Sequence, residues 1–184
     1  QRLIAMPGAG TKVPIWLLGS SLFSAQLAAE RGLPYAFASH FAPRYLLQAL
    51  HLYRQNFKPS KVLDKPYAIV GVPLIAAPTD DEAEFLASST YQRVLGILTG
   101  RRGQLPPPVA GFMDQLDGQA RAAIADFLAC AVIGSPDTVR AGLQQLADAT
   151  QADEFMLVSD VFDPALRLRS LDIAAAAMRE AVPA

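Results

Sequence analysis

Histidine and cysteine are scarce in this chain: two histidines and a single cysteine, Cys130, among 184 residues. One thiol cannot close an internal disulfide, and no Cys or His spacing of a metal site is present. Neither histidine has an evident Ser, Cys or Asp partner, so a side-chain nucleophile set is not the basis of any activity. Charged residues make up only 18% and the formal net charge is −1, which gives no electrostatic pull toward nucleic acid or an acidic membrane. Gly, Pro or a charge interrupts every apolar run before it reaches membrane-spanning length. Gln1 to Gly10 has neither the basic segment nor the long apolar core of a secretory signal, so a cytoplasmic location is expected. The chain opens at Gln1 rather than Met, and the expectation is that it starts inside a longer protein.

What is present is a core-forming composition. Hydrophobic residues reach 52%, enough for one domain over residues 1–184 with a sizeable interior. The organising stretch runs from Ile15 to Pro34. Ile15 to Leu18 predicts a short strand buried on both faces. Gly19 permits a tight turn, Ser20 and Ser21 are N-cap residues in waiting, and Leu22 to Arg31 predicts a helix stopped by Gly32 and Pro34. A strand, a Gly-Ser-Ser turn and a helix start also make an anion site. The first helical N–H groups lack internal partners, the macrodipole adds partial positive charge, and Ser20, Ser21 and Ser24 carry hydroxyls. Plain helix capping would use the same serines.

Further along, Leu3 to Met6 is a possible short strand before the turn cluster Pro7 to Gly10. Gly8 and Gly10 are only a fragment of a dinucleotide fingerprint. Tyr35 to Ser39 predicts the second strand, and Ala42-Pro43 opens a helix through about Arg54, which together with the first unit makes a parallel βαβ arrangement. His40 falls at the C-terminal end of its strand, the side on which parallel barrels build their sites; a loop histidine held by ordinary hydrogen bonds is the plainer alternative. His51 sits in a helix and has no such argument. Tyr67 to Ala77 predicts a long strand that Pro73 should bulge or bend. Thr79 caps a helix to about Thr99, and the proline-rich Arg101 to Val109 is neither strand nor helix. Helices are expected at about 111–115, 117–131 and 136–149, the last with Ser135 as cap and Pro136 at its first position. Strand four is Glu154 to Ser159, and a helix from about Ala165 to Ala181 follows. The carboxylates of Asp80 to Glu82 and Asp114 to Asp126 have the look of solvated helix surface. Cys130 is expected to be a small buried residue.

Alternating strands and helices define a parallel α/β class. Leu17-Leu-Gly-Ser-Ser21 with Ser24-Ala25 and the run to Phe41 resembles the luciferase-like flavin-dependent monooxygenases, within them the bacterial alkanal-monooxygenase-like group. Gly134-Ser-Pro-Asp-Thr-Val-Arg140, Ala152-Asp-Glu-Phe-Met156 and Arg167-Leu-Arg-Ser170 continue the likeness in order. The resemblance implies the second half of a (β/α)8 barrel with about four parallel strands, completed by dimerisation or by an N-terminal half. It implies reduced FMN bound at the barrel mouth, dioxygen, an aldehyde-like or other small organic substrate, and a flavin reductase as the source of electrons. Ser21 and Ser24, with Gly19 and Ser20 beside them, match family positions that contact the FMN phosphate. Residues facing the flavin ring belong largely to the family's first four strands, so little turnover is expected of this chain alone. A non-catalytic subunit of this fold and a deazaflavin-dependent relative are the alternative readings. The two open sheet edges should drive a homodimer, a rearrangement or poor solubility.

Overall fold

The computed structural model describes residue 4 and residues 6–181. Leu3 and Ala5 of the expected first short strand lie outside the described residues, and residues 6–10 form turns. The main unit follows as β1 (Leu17–Gly19), α1 (Leu22–Arg31), β2 (Tyr35–Phe37), a 3-10 turn at Pro43–Tyr45, and α2 (Leu46–Gln55). Then come β3 (Ala68–Ala76), α3 (Asp80–Leu98), α4 (Gly118–Phe127), β4 (Val132–Gly134), α5 (Pro136–Thr150), β5 (Glu154–Val158) and α6 (Pro164–Ala181).

All strand pairings are parallel: β1 with β2, β2 with β3, and β3 with both β4 and β5. α1 packs on α2, α2 on α5 and α5 on α6, so four outer helices follow the four main strands around an open arc. The arc is part of a barrel. Tyr35, Phe37, Tyr53, Leu50, Val70 and Val72 are fully buried between the two layers. Each such side chain contributes about 1.5–3 kcal/mol by leaving water. Tyr53 keeps its hydroxyl satisfied at depth, donating to the Leu33 carbonyl at 2.9 Å and accepting from the Tyr67 amide at 3.1 Å.

Four differences from the sequence expectation have physical causes. β1 begins two residues later than expected and is not buried on both faces: Leu18 is 71% exposed while its neighbour Leu17 packs against the core, because successive side chains point to opposite faces and only one face is covered here. Pro73 does not break β3. It lies in register with Val158 of β5, and from Leu74 onward the strand pairs with β4. Backbone groups of Tyr67, Gly71 and Ala77 face β2 and β4, while those of Ala68 and Ala76 face β5 and α6. By that alternation Pro73 falls on the first edge, between the end of β2 and the start of β4, where its missing N–H is not needed. β4 itself was hidden, since three residues carry too little periodicity to separate from a loop. Finally, Asp80 and Glu82 are not simply solvated: Asp80 Oδ1 accepts from the Ser135 amide at 2.6 Å, and Glu82 pairs with Arg169 of α6.

The segment from Ala77 to Ala131 is an insertion in the third strand–helix unit. α3 packs on β4 and α4, and α4 reaches the Pro43–Tyr45 turn after β2. This places the insertion over the C-terminal strand ends.

Candidate functional site

β1 ends at Gly19 and α1 begins at Leu22, as the Gly-Ser-Ser pattern requires. Ser21, in extended conformation, caps the helix: its Oγ accepts from the Ser24 amide at 3.2 Å. Ser24 Oγ donates to the Ser21 carbonyl at 2.7 Å and lies 3.1 Å from the Tyr35 hydroxyl. Burial raises the Tyr35 pKa, with Ser24 opposing it, so the phenol stays protonated. A Cβ on Gly19 would collide with the Ser24 side chain; glycine is needed for close packing here. Ser21 thus serves as a cap, yet its own hydroxyl hydrogen meets only Ser24 Oγ at a long 3.3 Å. That hydrogen is free to turn toward an anion at the helix start.

A second strand–helix junction, Gly134-Ser135-Pro136, is one residue shorter, and Ser135 stands at the N-cap without a side-chain capping hydrogen bond. There the anion position is filled from within the chain, by the Asp80 carboxylate on the Ser135 amide. That hydrogen bond, with Thr138 and Ser135 hydroxyls adding to it, holds Asp80 below the usual carboxylate range. Among the described residues no carboxylate takes the equivalent place at Ser20 and Ser21.

The chain after β2 is tied to the Gly19 junction through the Ala38 amide, which donates to the Gly19 carbonyl at 3.0 Å, and His40 follows two residues on. Its ring packs on the Gly71 backbone and against Phe41, with centroids 4.2 Å apart. Next to it are Asp160, after the C-terminal end of β5, and Arg93 of α3, joined in an ion pair. Thr90 donates to the Asp160 carbonyl at 3.1 Å. Burial lowers the His40 pKa; the Asp160 carboxylate acts against this and Arg93 reinforces it. The imidazole is therefore neutral at pH 7. The Gly71 backbone also holds His40 and raises its pKa slightly, and Ser89 Oγ, Ser159 Oγ, Arg93 Nε and Arg169 Nε are buried side-chain atoms that no protein group pairs among the described residues.

The comparisons with known proteins bear on this arrangement. The family model for luciferase-like monooxygenases matches residues 1–153. The chain belongs to the luciferase-like monooxygenase family. It is 50% identical over 170 residues to a protein named luciferase-like monooxygenase from Escherichia coli (strain K12), covering 92% of this chain and 50% of that protein. The solved structure of apo-MsnO8 superposes with a TM-score of 0.79 at 33% identity, over 100% of this chain and 56% of that one. The oxygenating constituent of 3,6-diketocamphane monooxygenase from Pseudomonas putida, a type II Baeyer–Villiger monooxygenase solved in complex with FMN, shares the fold. Its TM-score is 0.56 at 23% identity, over 88% of this chain and 48% of that one. The chain spans about half the length of the curated relatives it matches.

Arg93, Asp160, Ser89 and Ser159 were not singled out in the sequence. Asp160 had the same signal as His40, a polar residue just past a parallel strand. Arg93 in mid-helix had none. Cys130 is buried and its thiol is pushed up by that burial, with the Ser39 hydroxyl opposing, which makes it a packing residue. His51 stays exposed on α2. Among the described residues no His, Cys, Asp or Glu group could hold a metal, and no helix is long and apolar enough to cross a membrane.

Proposed function

We propose that residues 1–184 form one domain carrying the phosphate-binding junction and part of the mouth of a flavin-dependent monooxygenase site. The observation that carries this is the junction at Gly19 to Ser24: the start of a ten-residue helix, a spare Ser21 hydroxyl and, among the described residues, no carboxylate bonded there. Its donor set suits a phosphate monoester, which the FMN tail supplies. Gly19 and Ser20 offer backbone, Ser21 its turned hydroxyl, and Ser24 with Tyr35 holds the loop in shape. The FMN-bound relative of this fold supports the choice of flavin; a coenzyme F420-dependent reductase shares the fold to the same degree, and it is what speaks for the deazaflavin alternative.

Bound reduced flavin would supply the activation of dioxygen, with oxygen passing to an aldehyde-like or other small organic substrate. The chain's own residues bind, orient and exclude water. Neutral His40 can take or return a proton at Nε2, while the Arg93–Asp160 pair fixes charge beside it. α3 and α4 roof the strand ends and keep solvent off. A flavin reductase, as partner, delivers the reduced cofactor, and a homodimer or a preceding half-barrel covers the β1 edge.

A titration of the chain with oxidised and dithionite-reduced FMN, followed by flavin fluorescence, tests this. Ser21→Gly removes the hydroxyl at a capping cost of only a few tenths of a kcal/mol. The expected result is binding of the reduced form that weakens about tenfold in this variant, about 1.4 kcal/mol. Unchanged affinity in Ser21→Gly, or no binding by the parent chain, overturns the assignment. A second reading, a non-catalytic subunit of this fold, draws on the exposed apolar β1 edge. It gains if a stable dimer forms and flavin does not bind.

A further inference from the structure

The insertion between β3 and α5 builds a cleft of about 630 Å³ beside the strand ends, within the size range of small-molecule sites. Phe41, Ile97 and Phe127 give it apolar walls, and Arg93, Arg101 and Arg102 give it charge; no carboxylate lines it. Arg93 is neutralised by Asp160. Among the described residues no acidic side chain pairs with Arg101 or Arg102. The C-terminal dipole of α3, about half a negative charge, offsets only part of their two positive charges. This local excess stands against a chain whose net charge is −1. On the far side of Phe41 and Phe127 a second cleft of about 560 Å³ continues over Tyr45, Leu98 and Ala123.

We propose that this cleft binds an organic monoanion with an apolar body, its carboxylate on Arg101 and Arg102 and its body against Phe41, Ile97 and Phe127. Guanidinium groups favour a carboxylate because their planar forks match its two oxygens. The aromatic walls supply the area that a carboxylate alone lacks. The inference deepens the preceding reading by naming a substrate class for the same mouth, but the anion needs no flavin to bind. The two therefore fail separately.

The test uses 2-naphthoate and its neutral counterpart 2-naphthalenemethanol, titrated by fluorescence against the chain and against an Arg101→Gln, Arg102→Gln double variant. Both arginines are exposed, so unchanged circular dichroism and melting are expected and serve as the folding control. Naphthoate should bind the parent more tightly than the alcohol, lose about tenfold in the variant and weaken as salt is raised. The alcohol should not respond to the variant. Equal naphthoate affinity for parent and variant, or no binding to the parent, overturns the proposal. If FMN displaces naphthoate and loses the same factor in the variant, the arginines serve a flavin phosphate and the proposal also falls.

Discussion

Individual residues in this molecule are held by what surrounds them, and two of them make sharp predictions. Gly19 faces the Ser24 side chain with no room for a Cβ. Gly19→Ala should displace Ser24, break its bonds to Ser21 and Tyr35, and cost about 1–3 kcal/mol as overpacking does. The midpoint of urea unfolding reads this directly. His40 predicts a pH dependence. Its folded pKa is depressed below the ordinary value of 6.5, so the unfolded chain takes up the proton first as pH falls. Stability is then full above that value and declines as pH drops through it. Melting temperatures across that range should fall in the parent and fall less in His40→Gln, whereas an equal slope in both would mean the depression is not there. The positions of Ser21 and His40 were legible in the sequence because one stands at a helix start and the other just past a strand. Arg93 was not, since only folding brings it to Asp160, 67 residues away in sequence.

Elements are joined by a few buried polar contacts that bind one strand–helix unit to the next. The clearest is Ser170, fully buried in α6, whose Oγ accepts from the Ala76 amide at 2.7 Å where β3 ends. Ser170→Ala would leave that amide unpaired in the interior and should cost about 1–3 kcal/mol. A loss under about 0.5 kcal/mol in denaturant melts would show that water or a shift of the chain replaces the contact. Asp153 plays the same part at the other end of β3, its Oδ2 accepting from the Ala68 amide at 2.7 Å. These two contacts explain, in physical terms, the Ala-Asp-Glu and Arg-Leu-Arg-Ser runs that the sequence presents near its end. α1 was legible to the residue because Ser21 and Gly32 punctuate it. β4 was not, because its identity comes from its neighbour β3 and not from its own three residues.

For the whole molecule the decisive feature is an open arc with apolar edges. Ile15 is 64% exposed, Leu18 71% and Phe23 76% at the β1 end, and Met156 of β5 is 58% exposed at the other. An unpaired strand edge with large apolar side chains templates association. Light-scattering mass should therefore rise above the monomer with concentration, and Leu18→Lys, a charge on that edge, should lower it without loss of helix content. A concentration-independent monomer in the parent would sink this expectation.

The sequence by itself determined the parallel α/β class, most element boundaries and the Gly-Ser-Ser junction, since periodicity, caps and turn residues are local and act within a few positions. Tertiary structure alone decided that Pro73 sits where β3 changes partners, that Asp80 reaches the Ser135 amide at the start of α5, and that Arg93, Asp160 and His40 meet near the strand ends. Those depend on contacts between residues tens of positions apart, whose approach is set by how the layers pack and leaves no trace in local pattern.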